Sequence, residues 1–202
     1  MTNEVIFDLE TQRFFDETGE RDPSALGLSV VSLYVRELDE ELNEIKGEIK
    51  SYWESDLKGL WPHFQKADRI IGFNSIRFDV PVLTPYANFP LNKLPHFDIM
   101  QHIKDALGHR LSLNALAKAS LNSQKTDVGS RAVEYWEKGD EESLKKLQSY
   151  CEADVAITKN IYDFGLKNGI LKYFDKWNTQ REFNVDFTYH KEGKEEKQIE
   201  LF

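Results

Sequence analysis

The hydrophobic pattern changes once along the chain, and this change constrains the fold more than any other feature. Before Phe97, apolar residues come in short runs rich in β-branched and aromatic side chains, which is typical of buried strands. After Phe97 they recur at intervals of three and four residues, which is typical of amphipathic helices. Early strands followed by helices, with one strand–helix–strand alternation, predict an α/β sandwich and argue against a helical bundle or a β-barrel.

Individual elements follow from the same pattern. Strands are predicted at Val5–Phe7, Leu28–Val35 and Arg69–Phe73. Helices are predicted at Phe78–Ala87, around Ile99–Leu107 and Leu113–Ala117, and at Gly129–Lys138 and Glu141–Leu166, the last ended by Asn168-Gly169. The acidic segment 36–58 predicts an exposed edge strand or loop followed by a helix.

Composition excludes several classes of protein. The chain has 202 residues, 40% of them apolar, which predicts one folded domain rather than disorder. A single cysteine excludes a disulfide framework and a four-cysteine zinc site, so we expect a reducing, cytoplasmic location. We expect no signal peptide and no membrane partner, because no apolar run is long enough. The net charge of −9 argues against binding nucleic acid by bulk charge.

Four acidic residues stand out by their context. Asp8 and Glu10 end the first predicted strand, and Asp79 closely follows the strand that ends at Phe73. Asp154 lies four residues after Tyr150 on a predicted helix, so the two side chains share one helix face. Carboxylate oxygens are the ligands that Mg²⁺ prefers. These acids are therefore candidates for a metal site.

Each of these spacings alone is weak evidence for a metal site. Asp-x-Glu also occurs at Asp39 and Asp140, and Tyr-x-x-x-Asp also occurs at Tyr52. Asp39 and Asp140 lie in acidic, surface-like stretches, whereas Asp8 ends an apolar strand. The alternative for any single acid is a helix cap or a solvated face.

Three segments carry a resemblance to a known family. VIFDLET, GFNSIRFDVPVL and YCEADVAIT resemble, in order, the three motifs of the DEDD superfamily of DnaQ-like 3′→5′ exonucleases. The connecting segments FDETGERDPSALGLSVV, HFDIM, HRLSLNALAKASL and AVEYWEKGD resemble the branch related to the proofreading domain of family B DNA polymerases. The similarity runs from residue 4 to about residue 187. It implies a single-domain ribonuclease H-like fold, with a mixed β-sheet and flanking helices.

The resemblance also implies a chemistry. Members hydrolyse phosphodiester bonds at a 3′ end with two Mg²⁺ or Mn²⁺ ions and release nucleoside 5′-monophosphates. Asp8 would bridge the two ions, Glu10 and Asp154 would hold the one that activates water, and Asp79 would support the other. Tyr150 would orient the attacking water. Ser149 stands where the histidine subclass has its histidine, so the chain resembles the tyrosine subclass.

The same motifs imply contacts with the substrate strand. Leu9 and Thr11 from the first motif, with Asn74 and Phe78 from the second, are the candidates. Core packing is the alternative for Phe78. We expect an unpaired strand or a 3′ end as substrate, more often DNA than RNA.

A basic stretch is a second candidate for substrate contact. Residues 101–131 contain five basic and two acidic side chains, a net charge of +3. Arg110 and Lys118 are the candidates for phosphate contact there, and a solvated helix face is the alternative. Asp98 matches an acid that recurs in this branch, and a helix N-cap is its predicted role.

The last residues of the sequence form a separate motif. Gln198, Leu201 and Phe202 resemble the pentapeptide with which bacterial replication and repair proteins bind the sliding clamp. We therefore predict an exonuclease domain at 1–187, a charged linker at 188–197 and a clamp-binding peptide at 198–202. A final strand packed on the domain is the alternative for this terminal motif.

Two other functions of the whole protein stay open. They are an exoribonuclease that trims RNA and a non-catalytic adaptor that binds the clamp or nucleic acid.

Overall fold

The computed structural model describes residues 1–19, 21–123 and 131–188. The strands are β1 (Thr2–Thr11), β2 (Leu28–Leu38), β3 (Glu44–Trp53), β4 (Arg69–Gly72), β5 (His96–Asp98), β6 (Ile170–Phe174) and β7 (Gln180–Asn184). The α-helices are α1 (Phe15–Thr18), α2 (Trp61–Lys66), α3 (Asp79–Leu83), α4 (Ile99–Leu107), α5 (Leu113–Ser120), α6 (Ala132–Lys138) and α7 (Glu141–Asn168). Short 3₁₀ turns lie at Pro23–Leu26, Glu54–Gly59, Thr84–Tyr86 and Leu91–Lys93.

Five strands form one mixed sheet in the order β3-β2-β1-β4-β5. The pairs β1–β2 and β2–β3 are antiparallel, whereas β1–β4 and β4–β5 are parallel. A separate antiparallel hairpin is formed by β6 and β7. The predicted α/β fold with a mixed sheet and flanking helices is confirmed.

Alternation along β1 divides the core between the two faces of the sheet. Val5, Phe7 and Leu9 are buried in the cluster that also holds side chains of α2 and α3. Ile6 points the other way, into the cluster with side chains of α4, α5 and α7. Because successive side chains of a strand alternate between faces, the odd-numbered residues line one layer and the even-numbered residues the other.

The longest helix, α7, is amphipathic over 28 residues. It begins where the Asp140 side chain accepts a hydrogen bond from the Ser143 N–H at 2.9 Å. It ends at Gly169, whose φ of 66° is in the left-handed region that glycine adopts without strain. The predicted helix and its predicted end are confirmed.

Other elements differ from the sequence-based predictions. The helix predicted for Phe78–Ala87 is α3 followed by a 3₁₀ turn, because Pro85 has no N–H to continue the α-helical ladder. The acidic segment forms β3, an exposed edge strand as predicted, before the 3₁₀ turn Glu54–Gly59 and α2.

The β6–β7 hairpin was not predicted, and Asn178 between its strands, with a φ of 58°, is the turn signal that could have found it. Within the described ranges, no helix is both long and apolar enough to cross a lipid bilayer.

Candidate metal centre

The candidate site lies at one edge of the sheet. The strands β1, β4 and β5 run parallel, so their carboxyl ends meet at the same edge. Asp8 and Glu10 follow Ile6 on β1, and by alternation they face the same side of the sheet as α7. The loop after β4 and the last residue of β5, Asp98, reach this edge as well.

Three carboxylates come together there. Asp8, Glu10 and Asp154 each offer an oxygen, and these atoms lie within 4.8 Å of one another. Asp154 is buried on α7, and the neighbouring Cys151 thiol donates a hydrogen bond to the Asp8 carbonyl at 3.3 Å. This contact joins the helix to the end of β1. Hard carboxylate oxygens at this spacing fit a divalent cation such as Mg²⁺ or Mn²⁺.

Tyr150 lies beside these carboxylates. It is one helical turn before Asp154, and its hydroxyl donates a hydrogen bond to that carboxylate. Burial raises the pKa of the Tyr150 phenol, and the negative charges of Asp154 and Glu10 raise it further. The hydroxyl therefore keeps its proton at neutral pH.

Asp79 is not one of the three carboxylates whose oxygens lie within 4.8 Å of one another. It is the first residue of α3 and only 4% exposed. Burial, assisted by the nearby Asp98 carboxylate, raises the pKa of Asp79 to about 7, although hydrogen bonds from its own N–H and from the Leu9 N–H oppose this shift. The Leu9 N–H contact places Asp79 against β1.

Asp98 makes more contacts than the predicted N-cap requires. Its carboxylate accepts from the N–H groups of Met100 and Gln101 at 2.9 and 3.4 Å, so it caps α4 as predicted. It also accepts from the N–H groups of Asn74 and Ile76 at 2.8 and 3.1 Å. Asp98 therefore fixes the loop that leads to Asp79, a role that sequence reasoning missed.

The loop after β4 is tightly built. A Cβ on Gly72 would lie 2.4 Å from the Ser75 side chain, so only glycine fits there. Asn74 has a φ of 65°, a conformation that asparagine tolerates better than most residues. Its Oδ1 atom is buried and makes no hydrogen bond to any residue that the structure describes.

The other three residues predicted to contact the substrate strand differ in how far they are buried and in what they contact. Leu9 is 4% exposed and its side chain belongs to the core. The Thr11 hydroxyl donates to the Arg13 carbonyl at 3.0 Å. Phe78 is half-buried against the core, and its ring meets the Phe15 ring edge-on at 6.2 Å.

The basic candidates lie on the surface. Arg110 and Lys118 are both exposed, before and on α5. The Lys118 ammonium lies 5.5 Å from the centre of the Phe174 ring. The clamp-binding candidates Gln198, Leu201 and Phe202 lie outside the described residues.

Comparison with known proteins agrees with this geometry. The family model of the RNase H superfamily matches residues 5–164, which include all four acids and Tyr150. A search among curated proteins finds no match. The narrower assignment to the DEDD exonucleases stays a prediction. Since the match covers most of the chain and the mixed sheet agrees with it, the chain belongs to the RNase H superfamily, as an RNase H-like nuclease domain.

Proposed function

We propose that the protein is a metal-dependent 3′→5′ exonuclease of the tyrosine type, which releases nucleoside 5′-monophosphates from the 3′ end of a nucleic acid. DNA is the preferred substrate, and the activity serves DNA repair or replication. One observation carries this proposal. Asp8, Glu10 and Asp154 gather their oxygens within 4.8 Å, next to the neutral phenol of Tyr150.

The three gathered carboxylates fit one divalent cation, and we propose that a second is held beside it. Asp8, Glu10 and Asp154 would hold one, and Asp8 with Asp79 would hold the other. When bound, Mg²⁺ or Mn²⁺ supplies the positive charge that phosphodiester hydrolysis needs at its attacking and leaving oxygens. The carboxylates fix the positions of that charge, because they are carried by three elements, β1, α3 and α7.

Tyr150 acts through its hydroxyl. Because burial and the neighbouring carboxylates raise the pKa of this phenol, Tyr150 holds its proton and cannot serve as a general base. A neutral phenol can donate one hydrogen bond and accept another. We assign it the task of orienting the attacking water.

The test is a degradation assay on single-stranded DNA and RNA of equal length. The strands carry a 5′ label, so removal of nucleotides from the 3′ end appears as a ladder of shorter labelled products. We expect this ladder with Mg²⁺ or Mn²⁺ and none with EDTA. A labelled mononucleotide as the first product would show the opposite polarity and reject the proposal.

Two isosteric variants make the assay specific. Asp8→Asn should abolish the ladder, because the amide nitrogen is no metal ligand. Asp39→Asn is the matched control, since Asp39 begins another Asp-x-Glu but is exposed and engaged with Asn43. Equal activity of Asp8→Asn and the unaltered chain would reject the proposed site. Faster digestion of RNA than of DNA would favour the exoribonuclease alternative.

We further propose that residues 198–202 tether the enzyme to the bacterial sliding clamp. A net charge of −9 is unsuited to strong non-specific binding of DNA, so a tether would raise the local concentration of enzyme at its substrate. Changing both Leu201 and Phe202 to alanine should abolish binding to the purified clamp, measured by surface plasmon resonance. Digestion of free DNA should stay unchanged. Glu200→Ala, at a spacer position, is the control, and clamp binding retained by the double variant would reject the tether.

A further inference from the structure

The outer edge of β3 is long and exposed. This strand is the last of the five in the main sheet, and every residue from Glu44 to Ile49 is exposed. The strand at the opposite edge of the sheet, β5, has only three residues. A long exposed edge presents a row of backbone N–H and C=O groups that can pair with a further strand. The edge of β3 is therefore a candidate interaction surface.

The charges along this edge are complementary to themselves. Residues 44–50 read Glu-Ile-Lys-Gly-Glu-Ile-Lys. When two copies are laid antiparallel with Gly47 opposite Gly47, Lys46 of each copy faces Glu48 of the other. These positions lie in the regular part of the β2–β3 ladder. The Glu48 carboxylate contacts Lys50 of its own chain at 3.1 Å, and its two oxygens can accept from both ammonium groups.

Charge also selects this register over its neighbours. A centre at Lys46 would put Glu44 opposite Glu48, and a centre at Glu48 would put Lys46 opposite Lys50. Like charges directly opposite each other destabilise an antiparallel pair, whereas opposite charges stabilise it. Lysine on an edge strand commonly prevents pairing. Here the lysines disfavour the two shifted registers and favour the one centred at Gly47.

The same pairing covers two apolar side chains. Ile45 and Ile49, 55% and 43% exposed, are among the most exposed large apolar residues of the described chain. Ile45, where the β2–β3 register shifts, comes beside Ile49 of the other copy, so both lose contact with water. A Cβ on Gly47 would lie 2.1 Å from the Tyr34 hydroxyl, so only glycine fits at the centre of the match.

The self-complementary segment lies away from the candidate metal centre. Gly47 is paired with Arg36, and Arg36 with Glu4 near the beginning of β1, whereas Asp8 lies near its end. β3 runs in the same direction as β1, because both are antiparallel to β2. In an antiparallel pair of copies the two metal centres therefore point in opposite directions, and pairing does not bring them into one site.

We propose that the edge of β3 binds a second copy of this chain. The two β3 strands pair antiparallel about a two-fold axis at Gly47, and two sheets of five strands become one sheet of ten. Such a contact uses the same surface on both copies, as in most homodimers. Because only one strand of each copy forms it, the dimer should dissociate on dilution. This inference goes beyond the proposed hydrolysis and does not depend on it.

The test follows the mass of the full chain by sedimentation equilibrium over a series of concentrations. We expect a reversible dimer for the unaltered protein. Lys46→Glu and Glu48→Lys each replace two attractive pairs of the dimer by two repulsive ones. Each variant should raise the dissociation constant at least about tenfold. Lys104→Glu, an exposed charge reversal on α4, is the matched control and should leave the dissociation constant unchanged.

Mixing the two variants makes the test specific for this register. At positions 46 and 48, Lys46→Glu carries two acids and Glu48→Lys carries two bases. An equimolar mixture should therefore form a dimer although each variant alone does not. The double variant Lys46→Glu/Glu48→Lys should dimerise with itself, because the reversed charges again face their opposites. Recovery in these two samples also shows that the variants are folded.

Three outcomes would overturn the inference. The first is a monomer at every concentration up to about 1 mM, where even weak complexes form. The second is a dimer whose dissociation constant neither charge reversal changes, which would place the contact elsewhere. The third is a mixture of the two variants that stays monomeric. None of these measurements involves hydrolysis, so they test the interface independently of the proposed function.

Discussion

At the scale of single residues, Asp79 shows how burial raises the pKa of a carboxyl group. The free carboxyl of aspartate has a pKa near ~3.9, whereas burial raises the pKa of Asp79 to about 7. Between these values the folded chain keeps a proton that the unfolded chain has lost. Because the folded state binds more protons in this window, stability falls as pH rises from about 4 to about 7, and the loss persists at higher pH.

The effect of Asp79→Asn on the stability of the fold should therefore depend on pH. An amide does not ionise, so the variant should melt roughly 3 °C or more above the unaltered protein at pH 8 in EDTA, and close to it at pH 4. Thermal unfolding followed by circular dichroism at both pH values would measure the difference. Asp105→Asn, an exposed aspartate on α4, is the control. An effect of Asp79→Asn that is the same at pH 4 and pH 8 would contradict the prediction.

Tyr150 permits a residue-scale test of catalysis. Tyr150→Phe removes the one hydroxyl that we assign to orienting the attacking water and keeps the ring in place. We expect kcat to fall by about 10- to 100-fold with KM little changed, because misoriented reactants react slowly once bound. Tyr52→Phe is the matched control, since Tyr52 begins the other Tyr-x-x-x-Asp and contacts His63 instead. Equal kcat for both variants would refute the assignment.

At the scale of elements, α7 links the candidate site to the core. Its first half carries Tyr150 and Asp154, and its second half carries the buried Tyr162. The Tyr162 hydroxyl donates to Glu4 at 3.0 Å, and Glu4 forms a buried ion pair with Arg36 at 2.7 Å. These contacts hold α7 against β1 and β2 at the end of β1 opposite to the carboxylates.

Breaking this buried pair should destabilise the fold. Arg36→Met leaves the Glu4 carboxylate, which is 1% exposed, without its cation, and we expect a loss of about 3 kcal/mol in the free energy of unfolding. Lys145→Met, which breaks an exposed pair with Glu141, should cost no more than about 0.5 kcal/mol. Urea unfolding of the three proteins measures both values. Equal losses in the two variants would show that burial is not the cause.

Asp98 acts at this scale as a positioning residue, because it joins β5, α4 and the loop before Asp79. Asp98→Asn replaces one accepting oxygen by an NH₂ group that faces backbone donors. We expect about a tenfold rise in the Mg²⁺ concentration needed for half-maximal hydrolysis, because Asp79 is no longer held in place.

Loss of stability alone would not produce this change in Mg²⁺ requirement. Arg36→Met provides the comparison, since we expect it to be destabilised without any change in its Mg²⁺ requirement. An Mg²⁺ requirement of Asp98→Asn equal to that of the unaltered protein would reject the positioning role.

At the scale of the whole molecule, the candidate metal centre joins distant parts of the chain. The Cys151 thiol and the Asp8 carbonyl are 143 positions apart in sequence, yet they are in contact. A cation held by Asp8, Glu10 and Asp154 would bind only the folded chain, because only folding brings these three acids together. Such a ligand stabilises the fold by mass action.

Excess Mg²⁺ should therefore raise the melting temperature at pH 8. We expect a rise of a few degrees, roughly 2–4 °C for each kcal/mol of binding free energy. Asp8→Asn should abolish most of the rise, while Asp39→Asn should keep it. Thermal unfolding with Mg²⁺ and with EDTA measures the effect independently of any hydrolysis. A rise of the same size in Asp8→Asn would place the cation elsewhere.

Much of this architecture could be predicted from the sequence, because it depends on local pattern. Apolar periodicity predicted β1, β2, β4 and α7, and the three ordered motifs singled out Asp8, Glu10 and Asp154 before their closeness was known. The i,i+4 spacing of Tyr150 and Asp154 likewise predicted that their side chains meet. Such features follow from backbone geometry, which nearby residues determine.

Only the tertiary structure decided the rest, because burial and long-range contact have no local signal. Asp8 and Asp140 both begin an Asp-x-Glu, yet Asp140 caps a helix while Asp8 meets Asp154 across the fold. The burial that raises the pKa of Asp79 depends on how β1, β4 and β5 pack together. So do the hydrogen bonds that Asp98 accepts from the N–H groups of Asn74 and Ile76. The sequence by itself determined which residues could form the site, and packing determined which of them meet, since only packing excludes water and brings distant strands to one edge.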